Sequence, residues 1–130
     1  MVYFRSLLLL VCSTLFVLCA NAADGPLFNI PLTELPDNPE LLVLEVNLEP
    51  GQESEPHRHN GYVFVYVLKG RVNMQVAGGK IVTLAAGETF YENPNDVHTV
   101  SQNASDTEAA KFIVYIIKAV GAAVTTPAPQ

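Results

Sequence analysis

The sequence predicts an all-β protein, a small barrel or jelly roll, and three observations carry that expectation. Gly70, Gly78-Gly79 and Gly87 punctuate the middle of the chain at spacings of 8 to 9 residues. The runs between them either alternate in polarity or are rich in β-branched and aromatic residues. Long helical periods, internal repeats and phosphate-cradling glycine loops are all missing from the rest of the 130 residues.

The chain begins with a segment that is expected to stand outside the fold. Arg5 supplies a short positive region, Leu7 to Leu18 an apolar core of 12 residues, and Ala20-Asn21-Ala22 a small-x-small cleavage signal. That core is short of the about 20 residues a membrane-spanning helix needs. Residues 1–22 therefore read as a secretory signal peptide, and the product as secreted or periplasmic without integral membrane association after cleavage. Both cysteines, Cys12 and Cys19, lie in this segment, so a mature chain of residues 23–130 has no disulfide to hold it. Loss of Arg5 leaves 6 basic against 13 acidic residues, a net charge of −7 that argues against nucleic acid or an anionic membrane as partner.

A barrel domain is expected over residues 27–119. Pro26, Pro31, Pro36 and Pro39 allow at most a short edge strand around Phe28 to Leu32. "ELLVLEVNLEP" reads as a strand with Leu42, Leu44, Val46 and Leu48 on one face, ended by the Pro50-Gly51 turn. In "YVFVYVLK", Val63, Val65 and Val67 share the parity of His57 and His59 and point inward. Tyr62, Phe64, Tyr66 and Leu68 then point outward, where the N-terminal segment or a second subunit must cover them. "RVNMQVA" and "KIVTLAA" form the arms of a hairpin. "KFIVYIIKAV", apolar on both faces, is the candidate for a central or interface strand, and two such strands in a small chain predict a homodimer. Residues 120–130, "VGAAVTTPAPQ", read as a disordered tail. Asn103-Ala104-Ser105 fits an N-glycosylation acceptor in a eukaryotic host.

The chemistry gathers in "GQESEPHRHNGYVFVYVLKG". His57 and His59, two residues apart, place two imidazoles on one face of an extended segment. The third histidine, His98, follows the turn-rich "NPND" after the strand-like "ETFYE". A fold joining the two stretches assembles three neutral imidazoles, which suit Mn, Fe, Ni or Zn. A Ser101-His98-Asp96 triad lacks a geometric argument for either neighbour.

These spacings resemble the cupin superfamily of small β-barrels. Its first motif, G-x5-H-x-H followed by a glutamate and a closing glycine, corresponds to Gly51, His57, His59 and Gly70. Its second, G-x5-P-x-G-x2-H-x3-N, corresponds to Gly87 through His98, with Asn103 one residue late and Asn93 and Asn95 in the proline and second-glycine positions. The resemblance implies a double-stranded β-helix with a divalent metal ion on His57, His59 and His98. At the position of the family's ligand glutamate stands Val63. Glu92, two residues from Phe90 at a position cupins fill with an inward apolar side chain, is then a fourth ligand, a catalytic base, or an exposed residue one register step away. Gln75 and Gln102 are further polar candidates. Tyr62, Tyr66, Met74, Phe90 and Tyr91 are candidate pocket residues, and Arg58 is expected to face away in a salt bridge. The implied function is a metal-dependent oxygenase or isomerase acting on a small organic molecule, the alternative a non-catalytic module that binds a small ligand or metal.

Overall fold

The computed structural model describes residues 25–129; the expected signal peptide, with Cys12 and Cys19, lies outside them. The described strands are β1 (Pro39–Leu48), β2 (His57–Arg58), β3 (Gly61–Lys69), β4 (Arg71–Val76), β5 (Val82–Ala85), β6 (Thr89–Glu92), β7 (Val97–Asn103), β8 (Ala110–Ala119) and β9 (Thr126–Pro127). They form two antiparallel sheets, ordered β1-β8-β3-β6 and β5-β4-β7-β2-β9. The inward faces of the two sheets meet, as in a jelly roll.

Alternation decides which residues fill the interior. On β1, Leu42, Leu44 and Val46 turn inward while Leu41, Val43 and Glu45 face out. Val63, Val65 and Val67 on β3 are all buried, and β8 supplies Phe112, Val114 and Ile116 from the adjacent strand. Val72, Met74 and Leu84 close the core from the second sheet. Strand β8 is central, hydrogen-bonded to β1 on one side and β3 on the other. Gly70 makes the β3–β4 turn at φ 75°, and a Cβ there would stand 2.9 Å from the carbonyl oxygen of Ala109.

Three local expectations are corrected. Residues 25–38 form no strand, because their prolines remove ladder donors; they run as an extended arm across the outer face of β3 instead. Phe28 packs edge-on against Phe64 at 5.1 Å, and Tyr62 Oη accepts a hydrogen bond from the Glu34 amide at 3.1 Å. The arm thus covers part of the outward aromatic face. Beyond residue 120 the chain does not remain loose: it folds back so that β9 pairs with β2. Its alanine and proline content has no strand period, so only docking against the barrel reveals its place. Arg58 makes no ion pair among the described residues, and its Nε is buried without a hydrogen-bond partner. Asn103 is 2% exposed, and its two amide hydrogens are shared among the carbonyls of Leu48, Glu49 and Glu108.

Candidate metal centre

His57 and His98 are brought together by direct pairing, since β2 and β7 place them opposite each other. Two features of β7 aim His98 inward. The turn before it needs a left-handed residue, which Asn95 supplies at φ 66° in the position where the motif has glycine. A bulge follows: β4 pairing jumps from Gln75 with Val100 to Val76 with His98, leaving Thr99 extra. The Thr99 hydroxyl occupies the gap, 3.2 Å from the Gln75 carbonyl. The bulge allows His98, Ser101 and Asn103 all to be buried.

His57, His59 and His98 each offer a ring nitrogen within 4.8 Å of the others. His57 directs Nδ1 to the Glu55 carbonyl at 2.8 Å, and His59 directs Nδ1 to the Val124 carbonyl at 2.7 Å. A carbonyl can only accept, so both rings hold a proton on Nδ1, and the neutral form of each has its lone pair on Nε2. The two Nε2 atoms stand 3.2 Å apart. In the neutral tautomers these are two acceptors facing each other without a hydrogen between them, an arrangement that a cation relieves. Imidazoles on metal–nitrogen bonds of about 2.1 Å stand about 3.0 to 3.4 Å apart at tetrahedral or octahedral angles. The residues therefore fit a metal ion, and the carbonyls of Glu55 and Val124 orient the ligands.

Glu92 is 1% exposed and lies directly across the ladder from Val63. Its Oε1 is 3.2 Å from His98 Nδ1. The contact is close but lacks hydrogen-bond geometry, so both carboxyl oxygens and both His98 nitrogens remain without partners. Burial, with a smaller effect from Asp96, pushes the Glu92 pKa up to about 8. Burial, reinforced by His57 and His59, pulls His98 down to about 4. Burial also lowers His59, although its hydrogen bond to Val124 opposes the shift. Burial thus favours the neutral form of the His59 and His98 rings, the form that binds metal.

A cavity of about 500 Å³ joins these groups, lined by the three histidines, Glu92, Val63 and Met74 among others. Of the expected pocket residues, Met74 lines it, while Phe90 stacks on His98 at 5.8 Å. Tyr62, Tyr66 and Tyr91 do not line it. Gln75 is tied to Gly79 and Thr99, and Gln102 lies outside the cavity wall. Asp96 caps the Asn93 amide at 2.8 Å, so no Ser-His-Asp relay forms. Val124 to Pro127, assigned to a disordered tail by composition, form one wall of the cavity. Only the three-dimensional return of the chain could reveal them.

Comparison with known proteins gives a consistent result. The family model "Cupin domain" matches residues 44–116. A search of curated proteins finds no match. Among solved structures, a cupin-like protein from Thermotoga maritima is 24% identical with a TM-score of 0.59, over 69% of this chain and 65% of its own. A conserved protein with a double-stranded β-helix domain from Klebsiella pneumoniae is 20% identical with a TM-score of 0.58, over 84% of this chain and 99% of its own. A DMSP lyase from Ruegeria pomeroyi is 14% identical with a TM-score of 0.58, over 67% of this chain and 42% of its own. The chain spans about two thirds of the length of the Thermotoga protein and under half that of the lyase.

Proposed function

Because the chain belongs to the cupin domain family, we propose that its histidine cluster and buried acid form the active site of a secreted metal-dependent enzyme, an oxygenase or isomerase acting on a small organic molecule. The observation that carries the reading is Glu92: a buried carboxyl lines the cavity beside His98, where a pure metal store needs no acid or base. His57, His59 and His98 would hold a divalent ion of the Mn, Fe, Ni or Zn group, which supplies Lewis-acid polarisation or dioxygen chemistry when bound.

The chain's own groups do the rest. The Nδ1 protons of His57 and His59, given to the Glu55 and Val124 carbonyls, hold two rings in one orientation. Phe90 stacks on His98 and restricts its movement. Glu92 takes a proton from the substrate, or returns one, at a carboxyl oxygen that no other side chain engages by a hydrogen bond. Val63, directly across the ladder, is fully buried beside that carboxyl, which is itself 1% exposed.

Metal analysis of untagged protein is expected to find about one divalent ion per chain, lost in His57→Ala and His59→Ala. A substrate screen that follows oxygen uptake and solvent-deuterium incorporation should then find turnover that needs both metal and Glu92. Glu92→Gln should keep the metal and lose at least about a hundredfold in rate. Full metal content with turnover unchanged in Glu92→Gln would refute the role of the acid. The second reading, a non-catalytic binder, is favoured by Val63 at the position of the family's ligand glutamate; it requires ligand binding without turnover. Export is part of the proposal, and N-terminal sequencing of secreted protein should begin at Ala23.

A further inference from the structure

The cavity is larger than its polar groups need. Its wall beyond the histidines is built from Leu44, Val46, Val65, Met74, Phe112 and Val114. At about 500 Å³ it lies within the ~300–1,000 Å³ of sites that enclose small ligands. No lysine or arginine is among the lining residues, whereas Glu55 and Glu92 are. Lys118 is buried at an inward position of β8, but it is held in an ion pair with Glu40 and does not line the cavity. The neutral hydroxyl groups of the wall come from Ser54, Ser101 and the returning C-terminal segment, through Thr125 and Thr126.

From this we infer the ligand class: an uncharged small molecule with one polar head at the histidine cluster and an apolar body along the valine, leucine and phenylalanine wall. The inference rests on the metal-centre reading for the head and on the cavity alone for the body. A distal anionic group, such as a carboxylate or phosphate, would be buried among alkyl groups with no cation to receive it. Losing its hydration there outweighs what contact with the wall returns. A distal apolar chain gains by leaving water. Specificity thus comes from what the wall lacks as much as from what it touches.

Three metal-binding probes of one head type test this: acetohydroxamate, octanohydroxamate, and suberic monohydroxamate, which has the eight-carbon body and a terminal carboxylate. Each is titrated into the cobalt-loaded mature chain and followed by its visible spectrum. Octanohydroxamate should bind at least tenfold more tightly than acetohydroxamate, and the suberic probe no more tightly than acetohydroxamate. Equal binding of the two eight-carbon probes, or preference for the anionic one, would overturn the inference. Val46→Phe, which narrows the apolar wall away from the histidines, should erase the octanohydroxamate advantage and leave acetohydroxamate unchanged. If cobalt does not bind, the metal reading fails separately. The body of the inference is then read on the metal-free chain: 1-octanol must raise its melting temperature while octanoate does not, and equal or absent shifts overturn it.

Discussion

Ending the chain at Gly121 should weaken the metal centre without dissolving the barrel. The segment removed contributes the carbonyl of Val124, which receives the Nδ1 proton of His59 at 2.7 Å across 65 residues of sequence. It also contributes β9, which pairs with β2 beside His57, and the Ala128 amide, which donates to Pro56 at 3.2 Å. Without Val124 the His59 ring loses the bond that selects its tautomer, and β2 becomes an edge held only by β7. Loss of one such orienting bond typically costs 10- to 100-fold in metal affinity, or about 1.4 to 2.8 kcal/mol. The buried core resides in β1, β3, β4, β5 and β8, so the truncated chain should keep its β-rich circular dichroism. Competition for zinc against a chromogenic chelator measures the affinity. Val124→Ala is the control: it keeps the carbonyl and should bind within about threefold of the parent chain. A truncated, folded chain that binds zinc as tightly as the intact one would refute the positioning role.

Other outcomes follow from the same geometry. In the metal-free chain the pKa of Glu92 is raised from 4.5 to about 8, so its folded form retains a proton that the unfolded form releases; stability should fall as pH rises through that window, by on the order of 4–5 kcal/mol in total. His98, lowered from 6.5 to about 4, acts in the opposite direction, and stability should fall as pH drops from 6.5 towards 4. Urea unfolding across pH 4–9 should therefore show a maximum between, and Glu92→Gln should flatten the alkaline side. Asn103→Ala removes the donors to three carbonyls and should cost about 2–4 kcal/mol in the same assay; a loss below ~0.5 kcal/mol would show the tie to be dispensable. Leu41 and Val43 on β1 stand 62% and 48% exposed beside Tyr115, on the outer face the N-terminal arm does not cover. A homodimer through this face is expected; light scattering should give a dimer for the parent chain and a monomer for Val43→Lys, and a monomeric parent at tens of micromolar would overturn it.

Much of the fold was legible because its signals are local. The inward row Leu42, Leu44, Val46 needs only period two, and the hairpin of β4 and β5 needs only Gly78-Gly79 between two strand-like runs. Cover of Tyr62 and Phe64 followed from their outward parity, although which element supplied it did not. The features that stayed hidden depend on distant pairing. The Thr99 bulge that aims His98 is a mismatch between two strands and leaves no mark in either sequence. The C-terminal return is anchored by His59 Nδ1 and by two residues of pairing, a small set of contacts written in a composition that otherwise resembles a tail.

The exchange between Val63 and Glu92 shows the same limit at the chemical centre. Along the chain, Val63 marks the loss of an acid, and Glu92 is an oddity 29 positions later. In the sheet they are one cross-strand pair, with Val63 on β3 opposite Glu92 on β6. Opposite residues in an antiparallel ladder project to the same face, so both line the cavity. Replacing an acid at one member of the pair by an acid at the other keeps a carboxyl in the interior but moves it by one strand spacing, about 4.8 Å. At its present position the carboxyl comes within 3.2 Å of His98 Nδ1. The cluster able to hold a metal ion consists of His57, His59 and His98, and the carboxyl lies beside it. The sequence pattern registers this as a missing acid, whereas the ladder registers it as a carboxyl kept in the interior on the neighbouring strand.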